Sequence, residues 1–215
     1  KAVVYLGPFS DDRTVADVTL ESSDDTLLPG AGVHSENDFD GDGEPDLLVT
    51  TPRLDPSTAS FSTSVRLYTN TGIDTMALDE PHSELTSTTG GEYWGSGHIQ
   101  SGDITGDGTI DAVLTRAGGH VFIWDDPTTD FVIAESTPVA TFPAMVTSMS
   151  PAIGDYNADG QADLVVPTGD NLVAFSGPVA PLAWYDEPTD TWESTGSSAG
   201  FMGMGLCMGD LSGDG

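Results

Sequence analysis

A nine-residue acidic motif that recurs along the chain constrains the fold more than any other feature of the sequence. Each copy has aspartate at positions 1 and 5, an oxygen-bearing side chain at position 3, glycine at position 6 and, in three of the four copies, aspartate at position 9. The copies begin at Asp38, Asp103, Asp155 and Asp210, at intervals of 52 to 65 residues. A period near 55 residues fits one four-stranded propeller blade with long loops, so this interval predicts a series of similar β-units.

Two predicted strands follow each of the first three motifs. The first strands of these pairs are apolar runs at 47–49, 112–114 and 164–166, and the second strands lie at 65–68, 121–124 and 172–175. Short runs of this kind, bounded by Thr, Pro and Gly, are typical of buried strands. We expect little helix, since no amphipathic window stands out and the 26 glycines and 14 prolines suit many tight turns. The polar segment 52–64, which lengthens the first repeat, is predicted to be a surface loop.

The spacing of the motif favours a calcium site in each loop. Carboxylates at positions 1, 3, 5 and 9 bring several hard oxygens to one point, and calcium takes six to eight of them at about 2.3–2.6 Å. Glycine at position 6 allows the sharp turn around the ion, and the variable position 7 fits a ligand that offers only its main-chain carbonyl. An EF-hand would need a glutamate at position 12 and flanking helices. Position 12 is instead Val49, Leu114 or Val166, each within a predicted strand. The alternative for all these segments is a set of solvated acidic turns.

The motif resembles the loops of FG-GAP repeats, which occur in the propellers of integrin α-subunits and in many secreted bacterial proteins. In that family the sequence Asp-x-Asp/Asn-x-Asp-Gly-x-x-Asp joins the innermost strand of a blade to the next strand and binds calcium. The resemblance implies an all-β fold of propeller blades, each a four-stranded antiparallel sheet, and a chain that is a partial propeller or a fragment of a larger one. The family's Phe-Gly signature is only loosely echoed, by Trp94-Gly95 and by Phe201 with Gly203.

The resemblance also implies the metal ligands of each loop. They are Asp38, Asp40, Asp42, Glu44 and Asp46 in the first loop; Asp103, Thr105, Asp107, Thr109 and Asp111 in the second; Asp155, Asn157, Asp159, Gln161 and Asp163 in the third; and Asp210, Ser212 and Asp214 in the fourth. Thr105 and Ser212 replace a carboxylate by a hydroxyl group, and the fourth copy stops before position 9. We therefore expect three complete Ca²⁺ sites and a fourth that the end of the sequence cuts off.

The repeats divide residues 1–215 into consecutive units of a single β-propeller region. The predicted units are a partial blade at 1–29, repeats at about 30–93, 94–145 and 146–200, and a partial repeat at 201–215. The two incomplete units are expected to be completed by further residues of the protein or by another copy of the chain, because exposed strand edges invite pairing. Self-assembly through the unfinished terminal blades is thus one expected interaction.

Charge excludes several classes of partner. The chain has 35 Asp and Glu residues against 5 Lys and Arg residues, which gives a formal net charge of -30. Nucleic acids and anionic membrane surfaces would repel such a protein, whereas divalent cations would be attracted. No apolar stretch approaches the roughly 18 residues needed to span a bilayer, so membrane insertion is not expected.

These features favour a calcium-stabilised binding, adhesion or structural module that engages a protein or glycan at a cell surface or matrix. Extracellular calcium modules often bind only in the 10⁻⁴–10⁻³ M range, which predicts a secreted or cell-surface location. No catalytic residue or further cofactor is predicted, because neither the scattered histidines nor Cys207 form a nucleophile–base pattern. The alternative is a scaffold or appended domain of a secreted polysaccharide- or lipid-active enzyme. Aromatic side chains are expected to pack between blades rather than to form a sugar-stacking face; they are Trp94, Trp124, Trp184, Tyr185 and Trp192.

Overall fold

The fold of the described residues consists of β-strands. The computed structural model describes residues 2–4, 18–23, 25, 27, 32–35, 37–55, 57, 60–69, 75–87, 94, 99–116, 120–134, 137, 140–141, 150–168, 171–179, 188–193 and 208. Within these ranges the chain forms sixteen strands and no helix, so none of the described residues belongs to a helix that could cross a membrane. The all-β prediction is confirmed.

The sixteen strands form four sheets. In chain order they are β1 (Ala2–Val4), β2 (Val18–Glu21), β3 (Val33–His34), β4 (Leu47–Asp55), β5 (Ser60–Tyr68), β6 (Thr75–Ala77), β7 (Ser83–Ser87), β8 (Ile99–Gly102), β9 (Asp111–Arg116), β10 (His120–Trp124), β11 (Phe131–Ile133), β12 (Ala140–Thr141), β13 (Ala152–Gly154), β14 (Asp163–Pro167), β15 (Asn171–Phe175) and β16 (Asp190–Glu193). The strand orders are β1-β2-β6, β3-β4-β5-β7-β11, β8-β9-β10-β12 and β13-β14-β15-β16.

The same connection between two strands recurs in the last three of these sheets. A short edge strand leads into an acidic loop, and the chain returns as a buried strand antiparallel to that edge, in the pairs β3–β4, β8–β9 and β13–β14. The next strand then continues the antiparallel sheet as β5, β10 or β15. All six apolar runs predicted from the sequence lie inside these buried strands. The position of each acidic loop, between an edge strand and the next strand, agrees with the architecture that the FG-GAP resemblance implies.

Side-chain alternation on the buried strands builds a core on each side of the sheet that contains β9. On β9, Leu114 packs towards the preceding sheet with Leu48 and Trp124, and its neighbour Val113 packs towards the following sheet with Leu164. Since successive side chains of a strand point to opposite faces, one central strand serves both cores. The sheets therefore stack face to face, as blades do.

The buried tryptophans belong to this packing. Trp94 and Trp124 are fully buried in the same core, and the guanidinium carbon of Arg116 lies 5.2 Å from the centre of the Trp94 ring. Trp192 differs, because it is 43% exposed on the edge strand β16. The packing prediction is confirmed for Trp94 and Trp124, whereas Trp184 and Tyr185 lie outside the described residues.

The edge strands that precede the acidic loops lie side by side. Strand β8 contacts both β3 and β13. The amide nitrogen of the Asn37 side chain donates a 2.6 Å hydrogen bond to Ser101 Oγ, and a Cβ atom on Gly102 would lie 2.8 Å from Ile153. These contacts join corresponding ends of the three strands. The first three acidic loops therefore lie at the same end of successive sheets.

Two sequence-based expectations are wrong or incomplete. Residues 52–55 and 60–64 do not lie in a loop, because β4 and β5 extend into a long hairpin paired from Leu47↔Tyr68 to Asp55↔Ser60. The Ser and Thr side chains of this segment suit strands, but their polarity weakens the apolar signal. Two of the sheets also contain a parallel pair, β2–β6 and β7–β11. Strand β7 lies between β5 and β11, and Asp130 Oδ1, just before β11, accepts a 2.8 Å hydrogen bond from the main-chain amide of Glu84 in β7.

Candidate metal centres

The first acidic loop gathers three carboxylates. Asp38, Asp40 and Asp42 each place one carboxylate oxygen within 4.8 Å of the other two. Asp40 and Asp42 are exposed and Asp38 is half-buried. Two carboxylates about 5 Å apart repel by roughly 3 kcal/mol at an effective dielectric constant near 20. Such a cluster can bind a metal ion, since a cation would turn this repulsion into attraction.

Main-chain amides hold the first carboxylate of this loop in place. Asp38 Oδ2 accepts a 2.7 Å hydrogen bond from the amide of Gly43, and Oδ1 accepts bonds from Gly41 at 2.7 Å and Asp42 at 3.1 Å. These bonds, that from Gly43 first, lower the pKa of Asp38, so the group stays ionised. Gly43 has a φ of 93°, a left-handed conformation that glycine adopts at little cost. Its counterparts Gly108 and Gly160 share this conformation, at 91° and 86°.

The aspartate at position 9 is buried in each of the three described loops. Asp46, Asp111 and Asp163 have no exposed surface, and each uses Oδ2 to accept the main-chain amide of position 2. The second oxygen, Oδ1, has no hydrogen-bond partner within the described residues in Asp46 and Asp111. Burial raises the pKa of Asp46, and raises that of Asp111 to about 6. A buried, unpartnered carboxylate oxygen costs free energy unless a cation or donor reaches it, so both atoms fit a metal ligand.

The second loop has a further oxygen of this kind. Thr105 Oγ1, at position 3, is also buried and lacks a hydrogen-bond partner among the residues that the structure describes. Asp103 is held as Asp38 is, with Oδ1 accepting from Gly106 at 2.8 Å and Oδ2 from Gly108 at 3.0 Å. Thr109 donates both its hydroxyl and its main-chain amide to Asp107, which lowers the pKa of Asp107.

The third loop has the same frame with one difference. Asp155 accepts main-chain amides from Asp159 at 3.0 Å and Gly160 at 2.7 Å, and Asn157 Oδ1 accepts the Asp159 amide at 2.8 Å. Asp163 Oδ1, however, accepts a 2.8 Å hydrogen bond from the amide of Gly177. Both oxygens of this aspartate therefore take part in hydrogen bonds with the chain.

The position-7 residues lie at the exposed rim of their loops. Glu44, Thr109 and Gln161 are exposed, and each donates its main-chain amide to the aspartate at position 5. The residues of the fourth copy, Asp210, Ser212 and Asp214, lie outside the described residues. The binding of a calcium ion by each of the three described loops stays a prediction.

Sequence reasoning missed the residue at position 2, which anchors each loop. Phe39 and Ile104 are buried in the cores between sheets. Tyr156 packs edge-on against Trp192 at 5.8 Å, and its hydroxyl group donates a 2.8 Å hydrogen bond to Asp190. The signal was present, since the residue after the first aspartate is apolar or aromatic in each described copy.

Stacked antiparallel sheets with an acidic loop at one end of each define an all-β repeat protein of the propeller type. A family model described as the FG-GAP-like repeat matches residues 38–114 and 103–166, which together span more than half of the chain. The protein therefore belongs to the FG-GAP-like repeat family. Repeats of this family are typical of extracellular proteins. Comparison with curated proteins found no match.

Proposed function

We propose that this protein is a calcium-stabilised β-propeller module that works outside the cell as a binding or adhesion platform. The observation that carries the proposal is the pair of buried Oδ1 atoms of Asp46 and Asp111, each without a hydrogen-bond partner in the described part of the chain. Each atom belongs to a loop whose other acidic side chains are held in place by main-chain amides.

The donor set supports calcium over other metals. Each loop offers carboxylate, amide, hydroxyl and main-chain oxygens, and the motif contains neither the thiolate nor the imidazole ligands that zinc favours. Magnesium demands near-ideal octahedral geometry and keeps several waters, whereas calcium accepts six to eight oxygens in flexible geometry. In the first loop the ion would be held by Asp38, Asp40, Asp42, the Glu44 carbonyl and Asp46. When bound, the ion supplies positive charge that neutralises the clustered carboxylates.

The role assigned to the ion is structural. Each loop connects an edge strand to the buried strand beside it, so an ion in the loop would fix the entry to each sheet. A ligand present at about 100 times its dissociation constant stabilises a folded protein by roughly 2.7 kcal/mol per site. Three sites would add an amount comparable with the whole stability of a typical domain, about 5–15 kcal/mol.

The location and partner follow from the same chemistry. Calcium sites of extracellular modules have dissociation constants of about 10⁻⁴–10⁻³ M, and such sites fill only where free calcium is correspondingly abundant. Secretion or display at the cell surface is therefore part of the proposal. The partner is proposed to be a protein or glycan of a cell surface or matrix, and no catalytic residue is assigned to the module.

Thermal unfolding in calcium and in chelator tests the stabilising role. We expect calcium to raise the melting temperature by at least about 5 °C, since 1 kcal/mol shifts a domain of this size by about 2–4 °C. The double variant Asp46→Asn/Asp111→Asn should lose most of this rise. Asp25→Asn, which removes one exposed carboxylate outside the loops, should keep it. Equal melting temperatures with and without calcium would contradict the proposal, and an equal rise with magnesium would contradict the choice of ion.

A further inference from the structure

A polar pocket opens on the five-stranded sheet at a distance from the acidic loops. It has a volume of about 140 Å³, and its lining includes Arg53, Ser62, Ser64, Arg66, Glu84 and Thr86. Arg53 lies six residues beyond the start of β4, about 20 Å along the strand from the first loop. The pocket volume is below the range of about 300–1,000 Å³ that is usual for drug-sized ligands, so the pocket suits a small ligand.

Strand register places these six side chains on one face of the sheet. Arg53 pairs with Ser62 across β4 and β5, and Arg66 pairs with Glu84 across β5 and β7. Directly paired residues share a face, and residues two apart on a strand share it too. Nearer the acidic loop the same face is apolar. There Val49 of β4 belongs to a buried cluster that includes Leu20 of β2. The face thus changes from apolar to polar where the pocket opens.

An ion pair between a buried arginine and a partly exposed glutamate forms part of the pocket wall. Arg66 is 7% exposed, and its Nε donates a 2.9 Å hydrogen bond to Glu84 Oε1 while Nη1 donates a 2.6 Å bond to the Leu78 carbonyl. Beside it, Ser64 Oγ and Thr51 Oγ1 are 2.8 Å apart. The two hydrogen bonds that Arg66 donates fix its guanidinium group in a rigid arrangement. It is well suited to present fixed donors and acceptors to a ligand.

Charge and hydroxyl content define the class of ligand. Two of the five basic residues of the chain line this pocket together with one glutamate, so its described lining has a net charge of +1 in a protein whose formal net charge is -30. Serine and threonine hydroxyls and an Arg–Glu pair offer alternating donors and acceptors, which match the hydroxyl groups of a sugar. A dianionic phosphate group would be repelled by the glutamate. The single negative charge of a carboxylate, in contrast, matches the net charge of +1 of the lining.

We propose that this pocket binds an acidic saccharide unit, a hexuronate, through the Arg53 and Arg66 guanidinium groups and the hydroxyl groups of Ser62 and Thr86. The proposal rests on the binding function proposed above and names the class of ligand. It places the ligand on the hydroxyl-rich end of the β4–β5–β7 face rather than on the acidic loops.

Calorimetric titration of the intact, calcium-loaded protein with trigalacturonate tests this assignment. We expect saturable binding, and at least tenfold weaker binding of the neutral analogue galactotriose. Arg53→Gln should weaken trigalacturonate binding at least tenfold, and Thr86→Val should weaken it severalfold, in protein that still unfolds cooperatively and still gains stability from calcium. Arg116→Gln, which removes one arginine from another sheet, is the charge-matched control and should bind as the parent does.

The outcomes separate this pocket from the calcium loops. Trigalacturonate can itself bind calcium, so undiminished binding by Arg53→Gln would locate the ligand at the loops and overturn the proposal. Equal binding of the neutral trisaccharide would also overturn it. Failure of trigalacturonate to bind at 10 mM, on a protein that calcium still stabilises, would reject the pocket and leave the calcium role intact. A protein that binds trigalacturonate through Arg53 but gains no stability from calcium would support the pocket and reject that role.

Discussion

The main-chain amide of Gly177 donates a 2.8 Å hydrogen bond to Oδ1 of Asp163 and ties the third acidic loop to the segment after β15. This contact requires glycine, because a Cβ atom on Gly177 would clash with the carbonyl oxygen of Ala162. Two residues later, the amide of Val179 donates a 2.8 Å bond to the carbonyl of Ile104 in the second loop. The segment 177–179 therefore joins the acidic loops of two successive sheets.

Asp163 Oδ1 accepts a hydrogen bond, whereas Asp111 Oδ1 has no partner among the described residues. This difference predicts that replacing each aspartate by asparagine has unequal effects in metal-free protein. Asp163 accepts amides on both oxygens, from Gly177 and Tyr156, so in Asp163→Asn one of these donors would face the new NH₂ group. We expect a loss of about 1–3 kcal/mol of unfolding free energy, the usual cost of an unsatisfied buried polar group. Asp111→Asn can keep its oxygen towards Ile104, so its loss should be smaller. Denaturant unfolding in chelator measures both, and equal losses would contradict the role of Gly177.

The contact between the second loop and the following sheet predicts a difference between two glycine substitutions. Gly106 and Gly108 both have positive φ, 76° and 91°, so alanine at either position costs about 1–2 kcal/mol of backbone strain. Only at Gly106 would the new Cβ approach a neighbour, at 2.8 Å from Pro178. Overpacking adds about 1–3 kcal/mol, so Gly106→Ala should unfold at lower denaturant than Gly108→Ala. The third loop has Ala158 at the position of Gly106, with φ of 60°, which indicates that the backbone itself tolerates alanine.

Equal midpoints for Gly106→Ala and Gly108→Ala would show that Pro178 moves aside without cost. A larger loss in Gly108→Ala would contradict the packing of segment 177–179 on the second loop. Because both variants leave every acidic side chain in place, calcium should still raise the melting temperature of each.

The sequence predicted the local parts of this fold and missed the parts that depend on distant neighbours. The acidic loops and the apolar strands after them were predictable, because aspartate and glycine spacing and β-branched runs act within a few residues. The hairpin extension through 52–64 was missed, since its polar side chains carry no apolar periodicity. The bond between Gly177 and Asp163 joins β14 to the segment after β15, and only the pairing of these two strands brings the residues together. The pocket around Arg66 likewise requires the register of three strands.

Asp79, a hydrogen-bonded aspartate outside the acidic loops, is predicted to make the stability of the fold sensitive to acid. Asp79 accepts the Ser22 hydroxyl at 2.6 Å, and the amide and hydroxyl of Ser23 at 3.0 and 2.9 Å, which joins the turn after β6 to the end of β2. These bonds, that from Ser22 first, lower the pKa of Asp79 below 3.8. A lowered pKa means that the stabilisation is present above the unfolded-state pKa and is lost as the pH falls through the folded-state value.

In chelator, Asp79→Asn should therefore melt below the parent near pH 6, and the two melting temperatures should converge as the pH falls below about 3.8. Asp25→Asn serves as the control for the loss of one exposed carboxylate, and its difference from the parent should not follow this course. A gap for Asp79→Asn that stays constant down to pH 3 would contradict the assignment.

The hydroxyl at position 3 of the second loop predicts a gain of metal affinity. Thr105 stands where the first loop has Asp40, and its Oγ1 is buried without a hydrogen-bond partner among the described residues. Thr105→Asp would add a carboxylate there, at a cost of roughly 3 kcal/mol for each like charge about 5 Å away in metal-free protein. A bound cation would offset that repulsion. The variant should therefore melt below the parent in chelator, and calcium should raise its melting temperature by more than it raises that of the parent.

The matched control adds the same charge to the same loop at position 7. Thr109 is exposed and is expected to offer calcium only its main-chain carbonyl, so Thr109→Asp should gain less affinity than Thr105→Asp although both raise the negative charge by one. Titration calorimetry with calcium compares the two dissociation constants. An equal gain in both variants would mean that general attraction of cations, and not a ligand position at Thr105, determines binding at the second loop.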